Sequence, residues 1–105
     1  MEMAKYILSI LKTNLVVVWS WGFNSPAALS DGLTFRVNGF KHSGIVNVLY
    51  IHATDDFSVQ LLNNKGEIVK EIRGVYFDEL IDIIDHSVER VENYKERVEQ
   101  EYSRL

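Results

Sequence analysis

The middle of the chain carries short runs of alternating or largely apolar residues, and only a few turn-forming residues separate each run from the next. The runs have the period of two and the β-branched and aromatic content typical of strands, at residues 33–37, 45–53, 57–62 and 67–73. Parallel neighbours need a crossover of a dozen or more residues, and these connections are too short for one. The sequence therefore predicts consecutive antiparallel strands, each paired with the next.

Turn chemistry supports these boundaries. Asn38-Gly39 is a strong two-residue hairpin signal, and Ser43-Gly44 is an alternative turn or a bulge. Residues 63–66 end in a glycine suited to a positive φ. Residues 67–73 are the most polar run, which favours an edge strand. We expect these strands to point the following side chains into the core: Leu33, Phe35, Val37, Phe57, Val59 and Leu61.

The N-terminal third is predicted to form a helix and then one more strand, which precedes the four described above. Apolar residues recur at helical spacing over residues 2–13. Residues 15–23, LVVVWSWGF, are apolar on both sides at the start of the run, which predicts a central strand with both faces covered. Residues 24–32 contain Pro26 and end in Asp31-Gly32, and they are predicted to be a loop with one helical turn.

Two tryptophans lie one residue apart in that predicted strand. Trp19 is expected in the core, because aromatic strand residues mostly fill cores, and its replacement by alanine is expected to cost about 3–5 kcal/mol. Trp21 and Phe23 lie nearer the following loop and are predicted to be the more exposed pair.

A long amphipathic helix is predicted over residues 76–103, after Gly74 breaks the last strand. Such a helix spans roughly 42 Å, whereas five strands make a sheet about 24 Å wide. Its second half keeps one thin apolar stripe on an otherwise charged surface, which resembles a coiled-coil seam. We predict self-association through this stripe; the alternatives are that it packs on its own domain or frays. Its residues are Val91, Tyr94, Val98, Tyr102 and Leu105.

These elements predict a single two-layer α+β domain over residues 1–105. It has a mainly antiparallel five-stranded meander sheet with a short N-terminal helix and a long C-terminal helix, in the order α-β-β-β-β-β-α. Residues 92–105 are a helical extension free to project from the domain.

Composition narrows the classes of function. The chain has no cysteine, which excludes disulfides, thiol nucleophiles and zinc-thiolate sites. Its net charge of -4 argues against binding to phosphate backbones. No apolar run approaches the length of a membrane span and no targeting segment is apparent, so a cytoplasmic location is expected.

The ionisable residues do not form a familiar catalytic or metal motif. Asp82 and His86 are spaced i, i+4, as metal ligands on a helix are, but with Asp78, Asp85 and Glu89 they are expected to form a solvated helix face. His42 and His52 flank one strand near Asp55 and Asp56, and no nucleophile motif accompanies them. We therefore expect no enzyme activity, no metal and no cofactor.

Two functions from different classes remain. The first is a small interaction module that binds itself or another protein. The second is a domain that binds a small ligand or nucleic acid at one end of the sheet. The surface predicted for that second function consists of Trp21, Phe23, Arg36, Lys41 and His42.

Two resemblances bear on the fold. The α-β-β-β-α core loosely resembles a double-stranded-RNA-binding domain, but that family begins its second helix with basic residues and this helix begins with the acidic run YFDELIDIID. The runs FRVNGFKHSGIVNVLY and FSVQLLNNKGEIVKEIRGVYFDELIDIID resemble small uncharacterised α+β proteins of Bacteroides-type bacteria, over about residues 15–90. The second resemblance implies a fold and no mechanism.

Overall fold

Five strands, each antiparallel to the next, pair in the order β1-β2-β3-β4-β5 in a computed structural model that describes residues 2–89. The strands are β1 (Asn24–Leu29), β2 (Gly32–Asn38), β3 (Ser43–Ile51), β4 (Asp56–Leu62) and β5 (Ile68–Val75). The helices are α1 (Glu2–Leu11), α2 (Leu15–Ser20) and α3 (Leu80–Val88), with 3-10 turns at Lys12–Asn14 and Phe77–Glu79. The predicted α+β meander is confirmed.

One face of the sheet forms the core with all three helices, and no other element among residues 2–89 covers the second face, which we call the open face. Alternate residues of β2 and β4 enter the core, so the inward positions predicted for these two strands are all buried. Trp21 and Phe35 are the largest side chains that are completely enclosed. The strand residues of the core are Leu33, Phe35, Val37, Val46, Val48, Phe57, Val59, Leu61 and Val75.

The connection between β2 and β3 is longer than a two-residue turn. Asn38 pairs with Ser43, so residues 39–42 form the loop and the two competing dipeptides lie at its two ends. The backbone N–H groups of Lys41 and His42 both donate to the carbonyl of Val88, at 2.7 and 3.2 Å. This loop therefore supplies donors to the carbonyl end of α3, which no tight turn could do.

The prediction of a central strand at residues 15–23 is wrong, because the first six of these residues form α2. The Asn14 side chain accepts a hydrogen bond from the Val17 N–H at 3.5 Å and caps the helix. Val18 and Trp21, three residues apart, are the buried members of this stretch. That is the period of a helix, and tertiary burial of these two side chains outweighs the strand propensity of the valine run.

The first strand of the sheet is instead β1, in the segment predicted to be a loop with a helical turn. Pro26 has no N–H to donate, and β1 lies at the sheet edge, where a missing donor is tolerated. The register with β2 shifts between Asn24 and Ala27, and Ser25 within that bulge has a φ of 54°. The predicted number of strands is thus right although the first strand lies elsewhere.

Gly74 does not end the last strand as predicted. β5 continues to Val75, which is buried, and pairs with β4 through a register shift. Gly74 has a φ of 70°, a conformation that glycine adopts without steric cost, and it forms part of this bulge. The prediction that this strand is an exposed edge is confirmed.

The C-terminal helix is confirmed as far as Val88. The predicted extension, residues 92–105, lies outside the described residues, and so do Val91, Tyr94, Val98, Tyr102 and Leu105. Within the part of the chain that the structure describes, no helix is long and apolar enough to cross a membrane.

Candidate functional site

A short helix exposes three neighbouring apolar side chains to solvent. α2 buries Val18 toward the core, while Leu15 is 43%, Val16 80% and Trp19 69% exposed. We call these three residues the α2 face. Its exposed apolar area is on the order of 300 Å², most of it from the indole and the two aliphatic side chains. The largest apolar patch on a typical monomer is about this size or larger, and it is often functional.

Trp21, directly after α2, fixes this helix to the core. Its indole Nε1 donates to the Asp85 Oδ1 of α3 at 2.9 Å, and its ring stacks with Phe35 at 6.5 Å between centroids. Both Trp21 and Asp85 are buried. The α2 face is therefore presented from a rigid base, so little order has to be gained when a partner binds.

The last residue of β2 and the β2–β3 loop contact the ends of α2 and α3, respectively. The Asn38 N–H donates to the Trp21 carbonyl at 2.7 Å, and the Phe40 N–H donates to the Glu89 carboxylate at 2.7 Å. The Lys41 amino group donates to the His86 carbonyl at the C-terminal end of α3. The negative end of the helix dipole also favours a cation at this position. The two helix ends and the loop consequently meet at one end of the domain.

Gly39 is required for that close approach. A Cβ atom at Gly39 would lie 2.4 Å from Val88 Cγ1 and 2.5 Å from the Val88 carbonyl oxygen. Any side chain would thus push the loop away from α3, and the Asn-Gly dipeptide serves helix packing here as well as turn formation.

The residues predicted to form a ligand surface do not lie together. The predictions that Trp19 lies in the core and that Trp21 is the more exposed are both wrong, since Trp19 is 69% exposed and Trp21 is fully buried. Phe23 is half-buried against the Phe35 ring, with centroids 4.7 Å apart. Arg36 alternates with two buried neighbours and therefore lies on the open face of the sheet, opposite Phe23.

The other two members of that predicted surface have structural contacts. Lys41 binds the end of α3, as described above. The His42 Nε2 lies 3.3 Å from the Ile45 carbonyl oxygen and is partly buried.

The predicted solvated acidic face of the last helix is only partly correct. Asp78, Asp82 and His86 are exposed as expected, whereas Asp85 is buried and receives the Trp21 indole donor. A helix position just beside the apolar stripe can point inward when a buried donor faces it. Among the described residues, no group of three or more histidines and carboxylates is close enough to hold a metal ion.

A cluster of polar side chains lies at the turn between β3 and β4. The Tyr50 hydroxyl donates to the Asp55 carboxylate, and this hydrogen bond raises the pKa of Tyr50 above its usual range. His52 packs edge-on against Tyr50 at 4.7 Å and lies 3.3 Å from Asp31. His52 is therefore beside Asp31 rather than paired with His42, and both members of this surface pair are exposed.

The open face of the sheet carries a row of hydrogen-bonded polar side chains. Gln60 and Ser58 each donate to the Glu71 carboxylate at 3.0 Å, and these bonds lower the pKa of Glu71. Ser58 and Glu71 also line a shallow groove of about 490 Å³, together with Leu49 and Arg73. Because Arg73 also donates to Glu71, the charges in this groove largely satisfy one another.

The α2 face was not predicted from the sequence. The signal was present, because Asn14 can cap a helix and Val18 and Trp21 have helical spacing. A valine-rich run with two alternating tryptophans nevertheless has stronger strand statistics. A comparison of the chain with protein-family models, curated proteins and solved structures found no match in any of the three.

Proposed function

We propose that this protein is a small non-catalytic interaction domain that associates with a second copy of itself through the α2 face. The observation that carries the proposal is the exposure of Trp19 beside Val16 and Leu15 on a helix that Trp21 anchors to the core. Tryptophan is strongly enriched among the residues that dominate binding energy at protein interfaces.

A second copy is favoured over a nucleic acid by charge. The chain carries -4 net charge, and the α2 face itself contains no basic side chain. Binding to a phosphate backbone depends on lysine and arginine that neutralise phosphates. A self-complementary apolar surface, in contrast, is the common requirement of a two-fold symmetric dimer.

A small organic ligand has weaker support. The aromatic residue predicted to lead that site, Trp21, is enclosed in the core, and Phe23 and Arg36 lie on opposite sides of the sheet. We therefore prefer the interaction domain to the ligand-binding alternative. The cytoplasmic location stays a prediction.

Sedimentation equilibrium on the full chain tests the proposal, with Trp19→Glu as the disrupting variant. Phe77→Glu is a matched control, because Phe77 is also an exposed aromatic, at 58%, and lies at the opposite end of α3. We expect the native chain and Phe77→Glu to associate and Trp19→Glu to be monomeric, with unchanged circular dichroism in all three.

A native chain that is monomeric at ~100 μM contradicts the proposal, since that concentration would populate even a weak interface. Equal association of Trp19→Glu and the native chain would contradict the assignment of the surface.

A further inference from the structure

The α2 face alone is too small for a stable symmetric dimer. Two such faces packed together would bury on the order of 600 Å², whereas stable specific interfaces bury about 1,200–2,000 Å². Self-association through this face therefore requires an additional apolar surface from each copy.

The sequence of the C-terminal segment, residues 90–105, carries an apolar stripe that could supply this additional surface. Its apolar residues keep the spacing of a single helical stripe between charged residues of both signs. The positive and negative charges are equal in number, so the segment adds no net repulsion between two copies. The stripe consists of Val91, Tyr94, Val98, Tyr102 and Leu105.

The place where this segment begins limits what it can reach. Val88 and Glu89 are held by the β2–β3 loop, and Asn38, the last residue of β2, holds the end of α2 through the Trp21 carbonyl. Glu89, to which this segment is attached, therefore lies at the end of the domain where α2 ends.

No glycine or proline interrupts the chain after Gly74, so the sequence offers no signal for a reversal beyond α3. Continued as a helix, residues 90–105 would extend about 24 Å. A helix running from Leu80 to residue 105 would be longer than the width of five strands, about 24 Å, so part of the stripe would lack a core of its own.

We infer that residues 90–105 of one copy pack on the α2 face of a second copy, and that the two copies exchange this contact reciprocally. The inference rests on the proposed self-association and names the partner surface. The stripe then covers Trp19, Val16 and Leu15, and each dimer contains two such contacts.

Mixing two complementary full-length variants tests the exchange. Trp19→Glu spoils the α2 face and keeps the segment, whereas the double variant Val98→Glu, Tyr102→Glu spoils the segment and keeps the α2 face. Each variant alone lacks both contacts in its homodimer. The mixture regains one complete contact, and it does so only if the segment of one copy binds the α2 face of the other.

Trp19 itself reports the result, because the Trp19→Glu partner contributes no fluorescence from that position. We expect the Trp19 emission of the double variant to shift to shorter wavelength when Trp19→Glu is titrated in. The mixed dimer should dissociate at a concentration at least about tenfold lower than either variant alone, since one anchor contact is restored. A triple variant carrying all three substitutions is the control partner and should cause no shift.

Different results separate this inference from the proposed function. If the native chain associates and the mixture does not, the exchange is wrong and the proposed self-association stands without it. If the native chain is monomeric and its Trp19 emission depends on Val98 and Tyr102 at every concentration, the segment covers its own α2 face, and both the exchange and the proposed self-association are wrong. If the native chain does not associate and Trp19 stays solvated, the proposed function fails with it.

Discussion

Replacement of the two tryptophans should have very different effects on stability, in the order opposite to the one that the sequence suggests. Trp21 is completely buried, and its indole buries on the order of 200 Å². At about 25 cal/mol per Å², this corresponds to about 5 kcal/mol of transfer free energy, of which alanine would retain a small part. Large-to-small substitutions of this kind cost about 3–5 kcal/mol.

The hydrogen bond to Asp85 moves the expected value for Trp21→Ala to the upper end of that range. A hydrogen bond to a charged group contributes about 1.5–3 kcal/mol, and the indole is a donor for this buried carboxylate. A small domain has only about 5–15 kcal/mol of total stability. Trp21→Phe, which keeps most of the ring, serves as the milder variant, and we expect it to lose about 2 kcal/mol.

Trp19→Ala should change the free energy of unfolding by no more than about 0.5 kcal/mol, because the side chain is largely solvated in the monomer. Urea unfolding followed by far-ultraviolet circular dichroism measures all three variants without relying on tryptophan emission. The measurement belongs at about 1 μM or below, because self-association would stabilise the native chain by mass action. A loss for Trp19→Ala as large as that for Trp21→Ala would refute the burial argument.

Three further substitutions test other parts of the fold. Gly39→Ala should lower stability by about 2 kcal/mol, because its Cβ would clash with Val88, and thermal unfolding measures the loss. Lys41→Ala should cost about 0.5–1 kcal/mol through the lost donor to the His86 carbonyl and the lost cation at the end of α3, whereas a cost near zero would deny this capping role. Glu71 has a folded-state pKa below its ordinary value of 4.5, so its contribution is complete above about pH 4.5 and is lost as the pH falls through the folded pKa. Glu71→Gln should remove that part of the acid sensitivity, and identical acid-unfolding curves for the two proteins would contradict it.

The alternating strands could be read from the sequence because their pattern reflects local geometry. A strand with one face in the core places every second residue inward, and Leu33, Phe35 and Val59 show this pattern directly. The short connections then exclude parallel crossovers, so the antiparallel meander follows from the lengths of the connections between the strands. The edge position of β5 also follows from its polar composition.

The candidate site could not be read in the same way, because α2 and β1 depend on what they pack against. Residues 15–20 have strand-like composition, but Val18 and Trp21 become buried only when this stretch is helical and α3 brings Asp85 to the indole. Residues 24–29 have loop-like composition and form a strand only because β2 offers them a free edge.

The sequence by itself thus determined the fold class, the order of the last four strands and their inward faces, since these depend on periodicity and turn length. The tertiary structure alone decided which tryptophan is enclosed and which is presented to solvent. Periodicity assigns residues to faces only after the type of element is known. In a strand Trp19 and Trp21 would share one face, whereas the helical conformation separates them, so that Trp21 enters the core and Trp19 faces solvent. The energy that makes this choice comes from burial of Trp21 between the sheet and α3, a contact between residues distant in the sequence.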